Sequence, residues 1–195
     1  MIESFDAVIL AGGRGSRLGA PSKPDLHVAG RRLLDIALAA ASRAGRIVVV
    51  GEVDVPAGIL RTREEPAFGG PVAGLDAGLA CLADPADWTL LLACDLPDAE
   101  AAVPRLLAAT PGAEHDGACL VDVDGRLQWL LGCYRTGALL ARLADRGSPP
   151  LTALHRLLGP LNLLGVDPGT ASVADLDTPD DAQRWSTILT AKERP

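Results

Sequence analysis

The sequence predicts an α/β protein: a mostly parallel central sheet with helices on both faces and an antiparallel hairpin added to it. Three observations carry this expectation. Short, continuous apolar runs alternate with stretches of helical periodicity, the pattern of parallel strands buried on both faces. Asp124-Gly125 stands between two further strand-like runs, a strong hairpin signal. The length, 195 residues, suits one core that buries roughly 70% of the extended-chain surface. With no internal repeat, low-complexity tract or linker, residues 1–195 are expected to form a single domain.

In chain order, DAVIL at 6–10 reads as a buried strand ended by glycine. RRLLDIALAAASRAG at 31–45 reads as a helix, with Leu33, Leu34, Ala37, Leu38 and Ala41 on one side and Gly45 as its stop. RIVVVG at 46–51 is a second buried strand, 74–83 a helix after the GGP turn, and WTLLLACD at 88–95 a third strand. A helix is expected over 99–109, with Pro104 at a first-turn position or a kink. The hairpin spans 117–135, with Asp122 and Asp124 as solvated turn residues. Helical stretches near 136–146 and 150–158 follow, then a strand at 161–166. VADLDTPDDAQRW places a short strand before a last helix, with Thr178 as cap, Pro179 at the first position and Asp181 closing a capping-box-like pair.

Composition excludes several classes. No apolar run approaches the roughly 20 residues of a membrane span, and the acidic start MIESFDAVIL lacks a basic leader segment. No membrane association and a cytoplasmic location are expected. Cys81, Cys94, Cys119 and Cys133 are far apart, with no C-x-x-C, so they read as buried thiols. His27, His115 and His155 are scattered and receive no catalytic role. The net charge of −7 argues against nucleic acid as a partner. Residues 1–50 nonetheless carry seven cations against four acids, which points to a small anionic ligand.

The cations concentrate in LAGGRGSRLGAPSKPD at 10–25. Glycines directly after a buried strand let backbone N–H groups approach a phosphate with no Cβ in the way. In an open α/β sheet this loop lies at the carboxyl ends of the strands, where ligands bind. Arg14, Arg17 and Lys23 supply countercharge, and Arg31 and Arg32 read as solvated charges at a helix start. The segment is no P-loop, which requires Gly-x-x-x-x-Gly-Lys-Ser/Thr. It also departs from the dinucleotide-binding turn: Leu18 takes the last glycine position, and two prolines stop a helix from opening there.

LAGGRGSRLG followed by Lys23 and GRRLLD resembles the signature of sugar-nucleotide-type nucleotidyltransferases. EEPAFGGPVAGLDAGL, LLLACDLP, LQWLLGCYRTGAL and DLDTPDD narrow the resemblance to the MobA-like molybdenum cofactor guanylyltransferases, over 10–181. The resemblance implies a Rossmann-like nucleotidyltransferase fold and Mg²⁺-dependent transfer of GMP from GTP to a molybdopterin-type phosphorylated acceptor, releasing pyrophosphate. It implies nucleotide contacts at Leu10, Ala11, Gly12, Gly13, Arg14, Gly15 and Glu65, with Arg17 and Lys23 on the phosphates. Asp95 matches the family's magnesium ligand, and Asp177 is the expected second ligand; strand alternation puts Asp175 on the same side. A protein that delivers the cofactor is a further implied partner. Members carry Asp-Lys-Gly where this chain has Ser22-Lys23-Pro24, and Asn where it has Gly51. A cytidylyltransferase acting on molybdopterin or a phosphorylated alcohol, and a nucleotide-binding relative without turnover, are the alternatives.

A phosphate acceptor is already ionised at neutral pH, so this chemistry needs no general base. Two anions must meet in line while charge grows on the leaving pyrophosphate, a task for positioning and cations. Arg17, Lys23 and Asp95 are accordingly the expected catalytic set, and Mg²⁺ needs only one or two carboxylates beside phosphate and water.

Overall fold

A computed structural model describes residues 1–12, 22–65, 69–145 and 153–192. Its element order is β1 (Asp6–Leu10), β2 (His27–Val28), β3 (Arg31–Arg32), α1 (Leu33–Ala40), β4 (Ile47–Val50), β5 (Leu60–Thr62), α2 (Pro71–Ala80), β6 (Trp88–Ala93), α3 (Ala99–Ala108), β7 (Gly117–Val121), β8 (Leu127–Arg135), α4 (Thr136–Ala144), α5 (Leu154–Leu158), β9 (Leu163–Val166) and α6 (Pro179–Lys192). Seven strands form one sheet in the order β5-β4-β1-β6-β8-β7-β9. β1 pairs in parallel with both β4 and β6, and β7 with β9; β8 alone runs against its neighbours. The hairpin therefore joins the main sheet, with its second strand between β6 and β7.

Alternation along the strands builds two cores. Ala7 and Ile9 of β1 pack with Val49, Leu90, Leu92 and the apolar faces of α1, α3 and α6. Val8 and Leu10 point the other way, onto α2, and the same core holds residues of α4 and α5. Gly78 lets α2 approach closely: a Cβ there would lie 2.5 Å from a Val8 methyl. At the amino end of β1, buried Asp6 accepts from Arg46 Nε (3.1 Å), Arg46 Nη2 (2.7 Å) and the Ala86 amide (2.8 Å).

Several expectations are corrected. The first helix begins at Leu33, because Arg31 and Arg32 pair with Val28 and His27 across a two-residue turn. Ala29 and Gly30 both have positive φ (49° and 77°), the conformation of the tight hairpin turn whose twist matches its strands. The second helix starts earlier than expected, at Pro71, whose missing N–H is an orphan donor in any first turn. Pro104 sits in the second turn of α3, on the exposed side, where water can serve the carbonyl that it leaves without a donor. β5 was not expected; it is an edge strand with exposed Leu60 and Arg61.

The short strand expected just before α6 does not form: residues 172–177 are irregular. Both edges of β6 are already occupied, by β1 and β8, so this segment cannot pair with the strand whose end it meets. It crosses the carboxyl end of β6 instead, where the Leu176 amide donates to the Asp95 carbonyl at 2.9 Å. The cap holds as expected. The Thr178 amide and hydroxyl donate to Asp181 Oδ2 at 2.9 and 2.7 Å, and the Asp181 amide donates back to Thr178 Oγ1 at 3.2 Å. At the hairpin tip, Asp122 Oδ1 accepts from the Asp124 and Arg126 amides, so its carboxylate braces the turn. Residues 150–152 of the expected 150–158 helix lie outside the described residues. Among the described residues, no helix is long and apolar enough to cross a membrane.

Candidate functional site

β1 and β6 run side by side and end together, which brings Leu10 opposite Ala93. The Cys94 amide extends this pairing by donating to the Leu10 carbonyl at 3.1 Å. Asp95 follows directly, past the last sheet bond, with its side chain 21% exposed. A cavity of about 450 Å³ opens over these strand ends. Leu10, Val50, Ala93, Cys94 and Leu130 supply apolar wall, Gly70, Pro71 and Gly74 the start of α2, and Gly12, Lys23, Glu64 and Asp95 the polar rim.

Lys23 is placed by a tight turn. The Leu26 amide donates to the Lys23 carbonyl at 3.2 Å, so Pro24 occupies the second turn position, where its fixed φ is preorganised and its missing N–H costs nothing. The Pro24 carbonyl accepts from the Leu34 amide at 3.1 Å, tying the turn to the start of α1. Arg32 braces the same turn by donating to Asp25 at 3.3 Å, to Asp35 at 2.9 Å and to the Asp54 carbonyl at 3.1 Å. The change from Asp-Lys-Gly to Ser-Lys-Pro thus leaves Lys23 on a stiff turn.

From that turn, Lys23 Nζ reaches Asp95 Oδ2 at 2.7 Å and Asp177 Oδ1 at 2.8 Å. Asp177 is positioned by the Leu176–Asp95 backbone bond and by its own amide, which donates to Asp181 Oδ2 at 3.3 Å. Burial lowers the proton affinity of the Lys23 ammonium, but hydrogen bonds and charges from Asp177 and Asp95 outweigh it. The net position is above the ordinary lysine value, so Lys23 is a cation here. Asp175 is held above the usual carboxylate range, first by desolvation and then by the charges of Asp177 and Asp95. Burial pushes the Cys94 thiol far up, with Asp95 adding to it, which keeps Cys94 a protonated wall residue.

The structure therefore gathers Leu10, Gly12, Lys23 and Asp95 around one cavity and joins Asp177 to them through Lys23. Ala11 is buried beneath, its carbonyl so close to Gly51 that a Cβ on residue 51 would lie 2.7 Å away. Glu65 points outward, 82% exposed and 3.9 Å from Arg63, while the preceding residue, Glu64, lines the cavity. Gly13, Arg14, Gly15 and Arg17 lie outside the described residues. Leu130 was missed altogether; it comes from β8, whose insertion beside β6 has no local signature.

Among the described residues, no group of three or more His, Cys, Asp or Glu side chains is arranged to hold a metal ion. The Asp95 and Asp177 carboxylates that meet on the Lys23 ammonium are hard oxygen donors, of the kind a divalent cation takes together with water and phosphate.

Gly12, Lys23 and an acidic pair at the carboxyl edge of an open α/β sheet define a ligand-binding protein of the doubly wound class. The chain belongs to the MobA-like NTP transferase domain family, whose model matches residues 7–160. It is 32% identical over 169 residues to the molybdenum cofactor guanylyltransferase of Serratia proteamaculans (strain 568), covering 82% of this chain and 72% of that protein. It is 41% identical over 152 residues to the molybdenum cofactor guanylyltransferase of Acidiphilium cryptum (strain JF-5), covering 73% and 74%. In three dimensions it matches the crystal structure of a Mycobacterium tuberculosis rv0371c homolog from mycobacterium sp. strain JC1, with a TM-score of 0.73 over 96% of this chain and 98% of that one. Identity there is 24%, so this likeness carries the fold.

Proposed function

We propose that this chain is a guanylyltransferase that moves GMP from GTP onto the terminal phosphate of a molybdopterin-type cofactor and releases pyrophosphate. The observation that carries the reading is the Lys23 ammonium seated between Asp95 and Asp177 at the rim of the strand-end cavity. It puts a cation on a flexible stem and a pair of hard oxygen ligands at the cavity that Gly12 also lines. The relatives named as molybdenum cofactor guanylyltransferases supply the base and the acceptor.

In this reading the bare backbone at Gly12 admits the triphosphate, the apolar wall from Leu10 to Leu130 excludes water, and Lys23 neutralises phosphate charge. Asp95 and Asp177 would hold Mg²⁺, which when bound offsets the charge that develops between the two phosphates. Arg17 is assigned to the phosphates, and Gly13, Arg14 and Gly15 to the nucleotide, by resemblance. Glu64 replaces Glu65 as the carboxylate facing the nucleotide, because Glu64 is the one on the cavity. Domain limits of 1–195, a cytoplasmic site of action and a protein that delivers the acceptor complete the proposal.

The test is a panel of GTP, CTP, ATP and UTP with Mg²⁺ and a molybdopterin acceptor, read by pyrophosphate release. GTP is expected to be preferred, and Asp95→Asn to lose most of the turnover while keeping its circular dichroism spectrum. A CTP preference would replace guanine with cytosine. Triphosphate binding without pyrophosphate release would mean a relative that binds nucleotide but does not turn over.

A further inference from the structure

We propose that Lys23 and the divalent cation are alternative occupants of a single seat between Asp95 and Asp177, so that metal entry requires Lys23 to leave and frees its ammonium for the triphosphate. The inference rests on the metal reading above and adds an exchange to it.

The geometry leaves no room for both. Lys23 Nζ lies 2.7 Å from one carboxylate and 2.8 Å from the other. A Mg²⁺ bound directly to both would sit at about 2.0–2.1 Å from the same oxygens, inside the volume the ammonium fills. Two cations at that separation repel strongly where solvent is thin, and the Lys23 side chain is only 16% exposed.

The backbone of each of the three residues is held by a hydrogen bond. Lys23 stands on the Pro24 turn, which is bonded to α1 through the Pro24 carbonyl. The segments that carry Asp95 and Asp177 are tied to each other by the Leu176–Asp95 bond, and Asp177 also by its amide bond to Asp181. The soft part is the four-carbon Lys23 stem. A swing of that stem clears the seat without moving a strand or helix.

Two consequences follow. Metal alone binds weakly, because it must displace a paired ammonium. A triphosphate offers Lys23 a new anionic partner, so triphosphate and metal raise each other's affinity by more than the chelation of metal by free triphosphate accounts for.

The test titrates Mn²⁺ into nucleotide-free protein, following free Mn²⁺ by electron paramagnetic resonance. If Lys23 holds the seat about nine-tenths of the time, Lys23→Gln is expected to bind Mn²⁺ about tenfold tighter than the unaltered chain. Adding Asp177→Asn is expected to abolish that gain. Arg63→Gln removes the same charge from a residue paired with Glu52 and Glu65, and is expected to change Mn²⁺ affinity less than about twofold. Lys23→Met, with a stem of similar length and no charge, carries the comparison should the Gln variant not fold.

Unchanged or weaker binding in the Lys23 variants overturns the exchange, as does an equal gain in Arg63→Gln. Titrating the unaltered chain with GTP present separates the two levels. Mn²⁺ binding there, without a gain in Lys23→Gln, overturns the exchange and leaves the metal reading standing; no binding there overturns both.

Discussion

Gly51 shows how a single missing atom shapes the site. The Ala11 amide donates to the Val50 carbonyl at 2.9 Å, which draws Ala11 and Gly12 across the end of β4. A Cβ at position 51 would lie 2.7 Å from the Ala11 carbonyl oxygen and 3.2 Å from the Gly12 amide nitrogen, backbone atoms that cannot rotate away. With no Cβ at position 51, the two backbones come into contact. Gly51→Ala is therefore expected to push residues 11 and 12 off their positions, at a cost of about 1–3 kcal/mol in urea unfolding. The same variant should raise KM for the triphosphate several-fold, because Gly12 rims the cavity. Unfolding and KM both equal to those of the unaltered chain would show that the close crossing has no role. At this scale the sequence was legible where chemistry and chain position coincide: Lys23, Asp95 and Asp177, each singled out by its residue type and place, lie together in the structure. Glu65 is exposed while its neighbour Glu64 lines the cavity, for a physical reason. Arg63 and Glu65 share one side and interact, whereas Glu64 faces the other way, and this alternation is visible only once β5 is known to end at Thr62.

The elements that the sequence announces are those with internal periodicity or local capping chemistry. β1, β4, β6 and α3 fall within a residue or two of expectation, and α6 opens on its capping box. What local sequence does not announce is competition for partners. β5 is polar and exposed, and becomes a strand only because β4 offers it an edge; residues 172–177 have strand-like spacing and do not form one because β6 has no edge left. The α6 cap matters to the site, since Asp181 Oδ2 accepts from both Thr178 and the Asp177 amide. Thr178→Ala removes the hydroxyl arm of that cap and is expected to cost about 1 kcal/mol, or about 2–4 °C in Tm. Thr178→Ser keeps the oxygen and should stay close to the unaltered chain. Calorimetric scans of the two variants decide the matter: equal midpoints would mean that the hydroxyl does not hold this helix end.

Across the whole molecule, the cation seat is assembled from positions far apart in the chain, with Lys23 and Asp177 separated by 154 residues. Neither core can form it alone. The α1, α3 and α6 side positions the Lys23 turn and the Asp177 segment, while the cavity wall includes Leu10, Val50 and the start of α2 from the other side. Because both cores share one sheet, they are expected to unfold as a single unit. Two tryptophans make this measurable. Trp185 is buried in the first core, and Trp129 packs against the second. Replacing Trp88 and Trp129 with Phe leaves Trp185 as the reporter; replacing Trp88 and Trp185 leaves Trp129. In each variant, the fluorescence midpoint in urea should coincide with that from far-ultraviolet circular dichroism. GTP with Mg²⁺ at a hundred times the dissociation constant should then raise the unfolding free energy by about 2.7 kcal/mol, whichever tryptophan reports it. A fluorescence midpoint that departs from the circular dichroism midpoint in either variant, or a ligand shift seen by only one reporter, would divide the fold into separately melting layers. The seat would then depend on one of those layers and not on the whole.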